Sequence, residues 1–232
     1  MSEAYAMPTP APVATLSTDV RAQFISRTYL HLFGAILGFA CIEVLLFKTG
    51  LAYTIAQAML GVSWLLVLGG FMIVSWLASR TAMAAESPLA QYGALSGFVA
   101  AEALIFVPLL VIATDNVPGV IQSAATVTLV GFAGLTLVAF TTRKDFSFLG
   151  GILRWGFMVA LVLIVAGVLF GFQLGTFFSV AMIALAGAAI LYDTSNVLRH
   201  FPADKHVAAS LQLFASVALM FWYVLRLFMS RD

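Results

Sequence analysis

Seven stretches of the chain are apolar and long enough to cross a lipid bilayer, and this decides most of what it can fold into. They cover residues 29–47, 62–78, 89–112, 120–141, 151–172, 176–198 and 207–229. Each is close to the ~20 residues a helix needs to traverse a ~30 Å hydrocarbon core. With 62% hydrophobic and only 9% charged residues, a water-soluble domain is excluded. The fold class is therefore all-α: a polytopic seven-helix bundle over residues 27–232. Residues 1–26 are polar and rich in Pro, Ala and Thr, and they read as a disordered tail. They lack the charged stretch followed by an apolar core that marks a cleaved signal. Short connections make consecutive helices antiparallel neighbours. An odd number of spans does not divide into the inverted halves of common transporter folds.

The loop charges orient the bundle. With the N-terminus in the cytoplasm, the inner side carries Arg21, Arg27, Arg80, Arg143, Lys144, Arg154, Arg199 and Lys205, and the outer side Lys48, Arg226 and Arg231. Eight against three favours a cytoplasmic N-terminus and an external C-terminus. A net charge of +1 without a basic patch gives no sign of a nucleic-acid partner; membrane lipid is the surrounding medium. The single cysteine, Cys41, excludes an internal disulfide and a cysteine metal centre.

Charges inside the spans are the informative residues. Asp193 appears in the sixth span before its apolar character runs out. A carboxylate at such a depth is disfavoured by roughly 2.5 kcal/mol or more, so it faces protein or water and marks a functional path. Asn196 lies three residues on and shares its face, whereas Arg199 points elsewhere. Glu102 falls in the middle of the third span and Glu43 toward the outer end of the first. Facing one interior, the three would form an acidic ladder suited to a cation or proton. Gln212 and Ser216 share one face of the seventh span and are candidates to line that path. Asp193 is also a candidate for transient contact with Ca2+. The alternative for each is a locally hydrogen-bonded structural role. His200 and His206 flank Pro202 in a short loop and belong to the residue type that titrates near neutrality.

Other features read as structural. Gly34 with Gly38, and Gly167 with Gly171, have the spacing that permits close helix contact. Pro108 is expected to kink the third span. Trp64, Trp76, Trp155 and Trp222 fall near span ends, as interfacial anchors do. Catalysis is not expected. No HExxH occurs, Ser96 in GALSG lacks a placed base, and Tyr192–Asp193 has no second aspartate in the last span to share a proton. No cofactor is implied.

The chain resembles the Bax inhibitor-1 family of membrane proteins, in its bacterial branch. The resemblance rests on RTYLHLFGAILG at 27–38, YGALSGFVAAEALIFVPLL at 92–110 and KDFSFLGGIL at 144–153. It continues with AAILYDTSNVLRH at 188–200 and AASLQLFASVALMFWYVLRLF at 208–228. It implies a bundle with the last helix central, placed in the bacterial inner membrane, and a pH-sensitive calcium leak in which Ca2+ is the permeant ion. It also implies an aspartate pair between the sixth and seventh spans and an arginine near the end of the second that controls the closed state. Asp193 matches the first aspartate, Arg80 the arginine and Glu102 an acidic position of the third span. Ser216 stands where the second aspartate would be, so a proton shared between two carboxylates is not available here. Whether Asp193 is protonated or paired with Arg80 stays open at this point. Two functions follow: a cation conduit, or a non-conducting regulator that binds another membrane protein such as a quality-control protease.

Overall fold

A computed structural model describes residues 11–142 and 144–230; Arg143, Arg231, Asp232 and the first ten residues of the tail lie outside the described residues. Among the described residues eight α-helices follow one another: α1 (Thr18–Lys48), α2 (Leu51–Leu60), α3 (Trp64–Ala84), α4 (Pro88–Asn116), α5 (Val120–Thr142), α6 (Leu149–Phe170), α7 (Thr176–Arg199) and α8 (His206–Met229). All but α2 are long and apolar enough to span a membrane, and the chain is an all-α multi-pass membrane bundle.

The sequence reading missed α2. Its ten residues reach only about 15 Å at 1.5 Å per residue, too short to span. Ala52 and Ala56 on its inner face pack against Val107 and Val111 of α4. Gly50, with φ +76°, makes the turn between α1 and α2 that a side chain would strain.

The tail expected over 1–26 becomes ordered earlier than its composition suggested. Val13 and Phe24 are buried, the Val13 amide donates to the Phe201 carbonyl at 2.9 Å, and the Phe24 ring meets that of Phe201. Burial of two apolar residues against the α7–α8 loop overrides the local preference of a Pro-rich segment. The same end of the bundle is tied by Lys205 Nζ and Gln91 Nε2, which both donate to the Ala85 carbonyl at 2.9 Å.

Helix α8 is central. Its most apolar window is 72% buried inside the protein, α4 follows at 61%, and the other spans lie between 11% and 39%. It packs against α1, α3, α4, α5 and α7. Phe106 of α4 stacks on Phe221 of α8 with centroids 5.5 Å apart, and Trp222 meets Phe106 edge-on at 5.0 Å. Helix α4 runs unbroken through Pro108.

Helix α6 is attached differently. It lies on α7 and touches α3 over a short stretch. A Cβ at Gly156 would sit 2.7 Å from Leu185 Cδ1, and one at Gly150 would sit 3.0 Å from the Tyr192 ring. The two glycines that set this packing are therefore not those with the GxxxG spacing. Gly34 has open space around its Cβ position, and Gly171 ends α6 with φ +72°. On its other side a cavity separates α6 from α4 and α8.

Candidate functional site

The cavity beside α6 measures about 920 Å³ and is bounded by α3, α4, α6, α7 and α8. Its lining is mostly aliphatic and aromatic, as these sequences dictate, and a few polar groups converge on it. Asp193 of α7, Glu102 of α4, and Gln212 and Ser216 of α8 all line it, which brings together four of the residues singled out from the sequence.

Asp193 is buried and held from the neighbouring helix. Gln212 Nε2 donates to Asp193 Oδ1 at 2.6 Å, and Ser216 Oγ donates to Asp193 Oδ2 at 2.5 Å. The donors are one helical turn apart on α8, so a single face of the central helix grips both oxygens of one carboxyl group. A buried carboxylate without such donors would be strongly disfavoured. Glu102 is equally buried and has no hydrogen-bond partner among the described residues. It presents a carboxyl group to the cavity with its oxygens uncommitted.

The remaining candidates lie elsewhere. Glu43 is buried in α1 with both carboxyl oxygens unpartnered among the described residues, and it does not line the cavity. The acidic ladder is therefore two carboxylates long: Glu43 shares the buried face of α1 with Thr28, Leu32 and Ala35, but α1 does not border this cavity. Arg80 is exposed near the end of α3, with its guanidinium 5.3 Å from the centroid of the Trp76 ring. No ion pair joins it to Asp193 among the described residues, so of the two states left open above the structure has no Arg80 pairing, and two donors of α8 hold Asp193 instead. Asn196 lines a second, smaller cavity of about 420 Å³ at the end of the bundle that carries His200, Pro202 and Ser147.

Sequence reasoning missed the two ends of the larger cavity. Trp64 and Trp222 line it and stack on one another at 5.9 Å, rather than serving as interfacial anchors like the exposed Trp76 and Trp155. Arg226 lines the same end and donates from Nη2 to the Leu174 carbonyl at 3.3 Å. Toward the other end stand Arg154 and Tyr192. The glycine at position 150, four residues ahead of Arg154, was the available signal for Tyr192, since only a missing side chain admits its ring.

The histidines divide as well. His200 Nε2 lies 3.9 Å from Asp145 Oδ2, with both side chains about half exposed. Asp145 also accepts from the Ser147 amide at 2.9 Å and from Ser195 Oγ at 3.4 Å. The Ser147 amide holds the Asp145 carboxyl below its ordinary range, and the charges of His200 and Arg199 act the same way. His206 begins α8, and its ring meets that of His31 with centroids 5.0 Å apart.

Oxygen donors are what this site offers: two carboxyl groups, a hydroxyl and an amide carbonyl, the ligand types that hard cations take. Among the described residues no three His, Cys, Asp or Glu side chains converge as a metal-holding cluster.

The fold and the cavity together define a multi-pass membrane protein with an acid-lined chamber beside its central helix. The chain belongs to the family described as Inhibitor of apoptosis-promoting Bax1, whose model matches residues 21–232. It is 34% identical over 116 residues to an uncharacterized protein of Pseudomonas aeruginosa, covering 49% of this chain and 51% of that one. It is 37% identical over 95 residues to the modulator of FtsH protease YccA of Escherichia coli K12, covering 40% and 43% of the two chains. The inner membrane protein YccA of Escherichia coli O6:H1 matches to the same extent. The matched segments thus span about half the length of these relatives or less.

Proposed function

We propose that the protein is a passive cation conduit, permeable to calcium, in a bacterial inner membrane, with its N-terminus in the cytoplasm. The observation that carries this reading is the opening of Asp193 and Glu102 into one intramembrane cavity. Two carboxyl groups facing a shared space inside the bilayer suit a path for a positive charge better than they suit packing. The conformation is a closed one. The Trp64–Trp222 stack and the Arg226–Leu174 hydrogen bond stand at one end, and Gln212 and Ser216 occupy both oxygens of Asp193 toward the other. The inner-membrane placement is supported by the Escherichia coli relatives, and the orientation by the excess of Lys and Arg at the end that bears His200 and Lys205.

The test is calcium entry into liposomes containing the purified protein. Asp193→Asn removes the charge at nearly constant shape, and a clear change in flux is expected. Unchanged flux in folded protein would overturn the conduit.

A second reading is favoured by one relative, named as a modulator of the FtsH protease. On it, the chain is a non-conducting partner of a membrane protease. Reconstitution with a purified protease separates the two: altered proteolysis without calcium flux would put the regulator first.

A further inference from the structure

The larger cavity and the smaller one at the His200 end have two wall residues in common, Tyr192 and Gln212. What divides the membrane chamber from this vestibule at the His200 end is therefore a partition that Tyr192 and Gln212 form between them. The two are not equally free. The Tyr192 ring is packed against Gly150 so closely that a single added carbon there would lie 3.0 Å from Cε2. Gln212 is half-buried, lines both spaces, and is fixed by one side-chain hydrogen bond among the described residues, from Nε2 to Asp193 Oδ1 at 2.6 Å. Release of that bond frees a flexible side chain with water-accessible space on one side and the chamber on the other.

We propose that Gln212 is the latch between the vestibule and the chamber: while it binds Asp193 the two cavities are separate, and when it lets go they join. This rests on the conduit reading and adds to it the residue that controls access from the vestibule. It also gives Asp193 two tasks in one place, as the charge on the path and as the catch for the latch. A hydrogen bond to a charged group is worth roughly a factor of ten to a hundred in an equilibrium, enough to keep such a partition closed most of the time.

The experiment reads access rather than ion passage, so that latch and conduit can fail separately. Cys41, the single cysteine, is replaced by Ser, and Ala215, which lines the chamber, by Cys as a reporter. A membrane-impermeant cationic thiol reagent is then applied to sealed vesicles from each side, on the full chain. Gln212→Ala and Gln212→Met are compared with the parent; Met keeps the length and bulk but cannot donate. Both variants are expected to raise the labelling rate from the vestibule side about tenfold or more, with the rate from the other side unchanged. An unchanged rate in Gln212→Met would overturn the latch, since bulk alone would then form the barrier. Should Gln212→Ala fail to fold, as judged by size-exclusion chromatography, Gln212→Met decides alone. Labelling gained in Gln212→Met alongside calcium flux that ignores Asp193→Asn would keep the latch and lose the conduit; the reverse pair would keep the conduit and lose the latch.

Discussion

Ser216 and Asp193 are joined across the α7–α8 interface by a 2.5 Å hydrogen bond from the serine hydroxyl to Oδ2, at the position where the family resemblance places a second aspartate. The serine supplies a donor where a carboxylate would supply a competitor for the same proton. Ser216→Ala removes that donor and leaves the buried group short of a partner. It is expected to lower stability by about 1.5–3 kcal/mol, read from denaturant unfolding in detergent. Ser216→Asp places two carboxyl groups in contact, which cannot both ionise cheaply and titrate in two separated steps. Calcium flux in that variant should gain a pH dependence that the native chain lacks or shows more weakly.

Glu102 differs from Asp193 in being buried without a partner among the described residues. No hydrogen bond or ion pair among the described residues ties its carboxyl group to the rest of the fold. Glu102→Gln should therefore leave unfolding within about 1 kcal/mol of the native protein while lowering calcium flux several-fold. A loss of stability comparable to that of Ser216→Ala, with flux retained, would assign Glu102 to structure.

The sequence was most readable where the membrane constrains it. Five of the seven spans lie within four residues of their helices, the second stops six residues short of Ala84, and the position of Asp193 in an apolar run pointed to a residue that lines the cavity. The first span begins earlier, at Thr18, because Phe24 is drawn into the core by tertiary contacts that local composition does not carry. Gln212 and Ser216 were legible as a pair because helical spacing alone puts them on one face. Their grip on Asp193 was not legible, since it depends on how two helices rotate against each other. Where each helix sits in the bundle is equally absent from spacing, which hid the exclusion of Glu43 from the cavity and the stacking of Trp64 on Trp222. Spacing was only a partial guide to the glycines: Gly150 and Gly156, outside the GxxxG pairs, meet side chains most closely, a Cβ at Gly38 would lie 3.8 Å from Val99, and Gly34 meets nothing.

Arg80 sits on the exposed side of α3 over Trp76, away from the carboxyl groups of the cavity. Arg80→Ala is expected to leave calcium flux and its response to pH within about twofold of native, since an exposed charge with no buried partner contributes little. A flux raised well beyond that would show that Arg80 does hold a closed state.

The glycine contrast gives a stability test that does not involve ions. Gly156→Leu must displace Leu185 and part α6 from α7, at a cost of about 1–3 kcal/mol. Gly34→Ala meets no atom within 4 Å and removes a flexible residue from a helix interior, so stability should hold or rise by about 0.5–1 kcal/mol. If Gly34→Ala were the damaging variant, a close contact at that face, such as one with a second copy, would have to be present.

Asp145 fixes where an acid effect on the fold should fall. Its carboxyl is held below the ordinary value of 3.8 by the Ser147 amide first and by His200 and Arg199 in addition, so the unfolded chain binds its proton more readily. The stability this adds is fully present above the unfolded value and is lost as pH falls through the lower, folded one. Between about pH 5 and 8 Asp145 itself stays ionised, so a change of calcium flux in that window does not arise from its own titration. Asp145→Asn should accordingly leave the midpoint of a pH–flux curve where it is. In thermal unfolding, the gap between native protein and Asp145→Asn should be open at about pH 7 and narrow at about pH 3. A flux midpoint that moves with Asp145→Asn would instead make the loop between α5 and α6, anchored on Ser195 of α7, part of the gate.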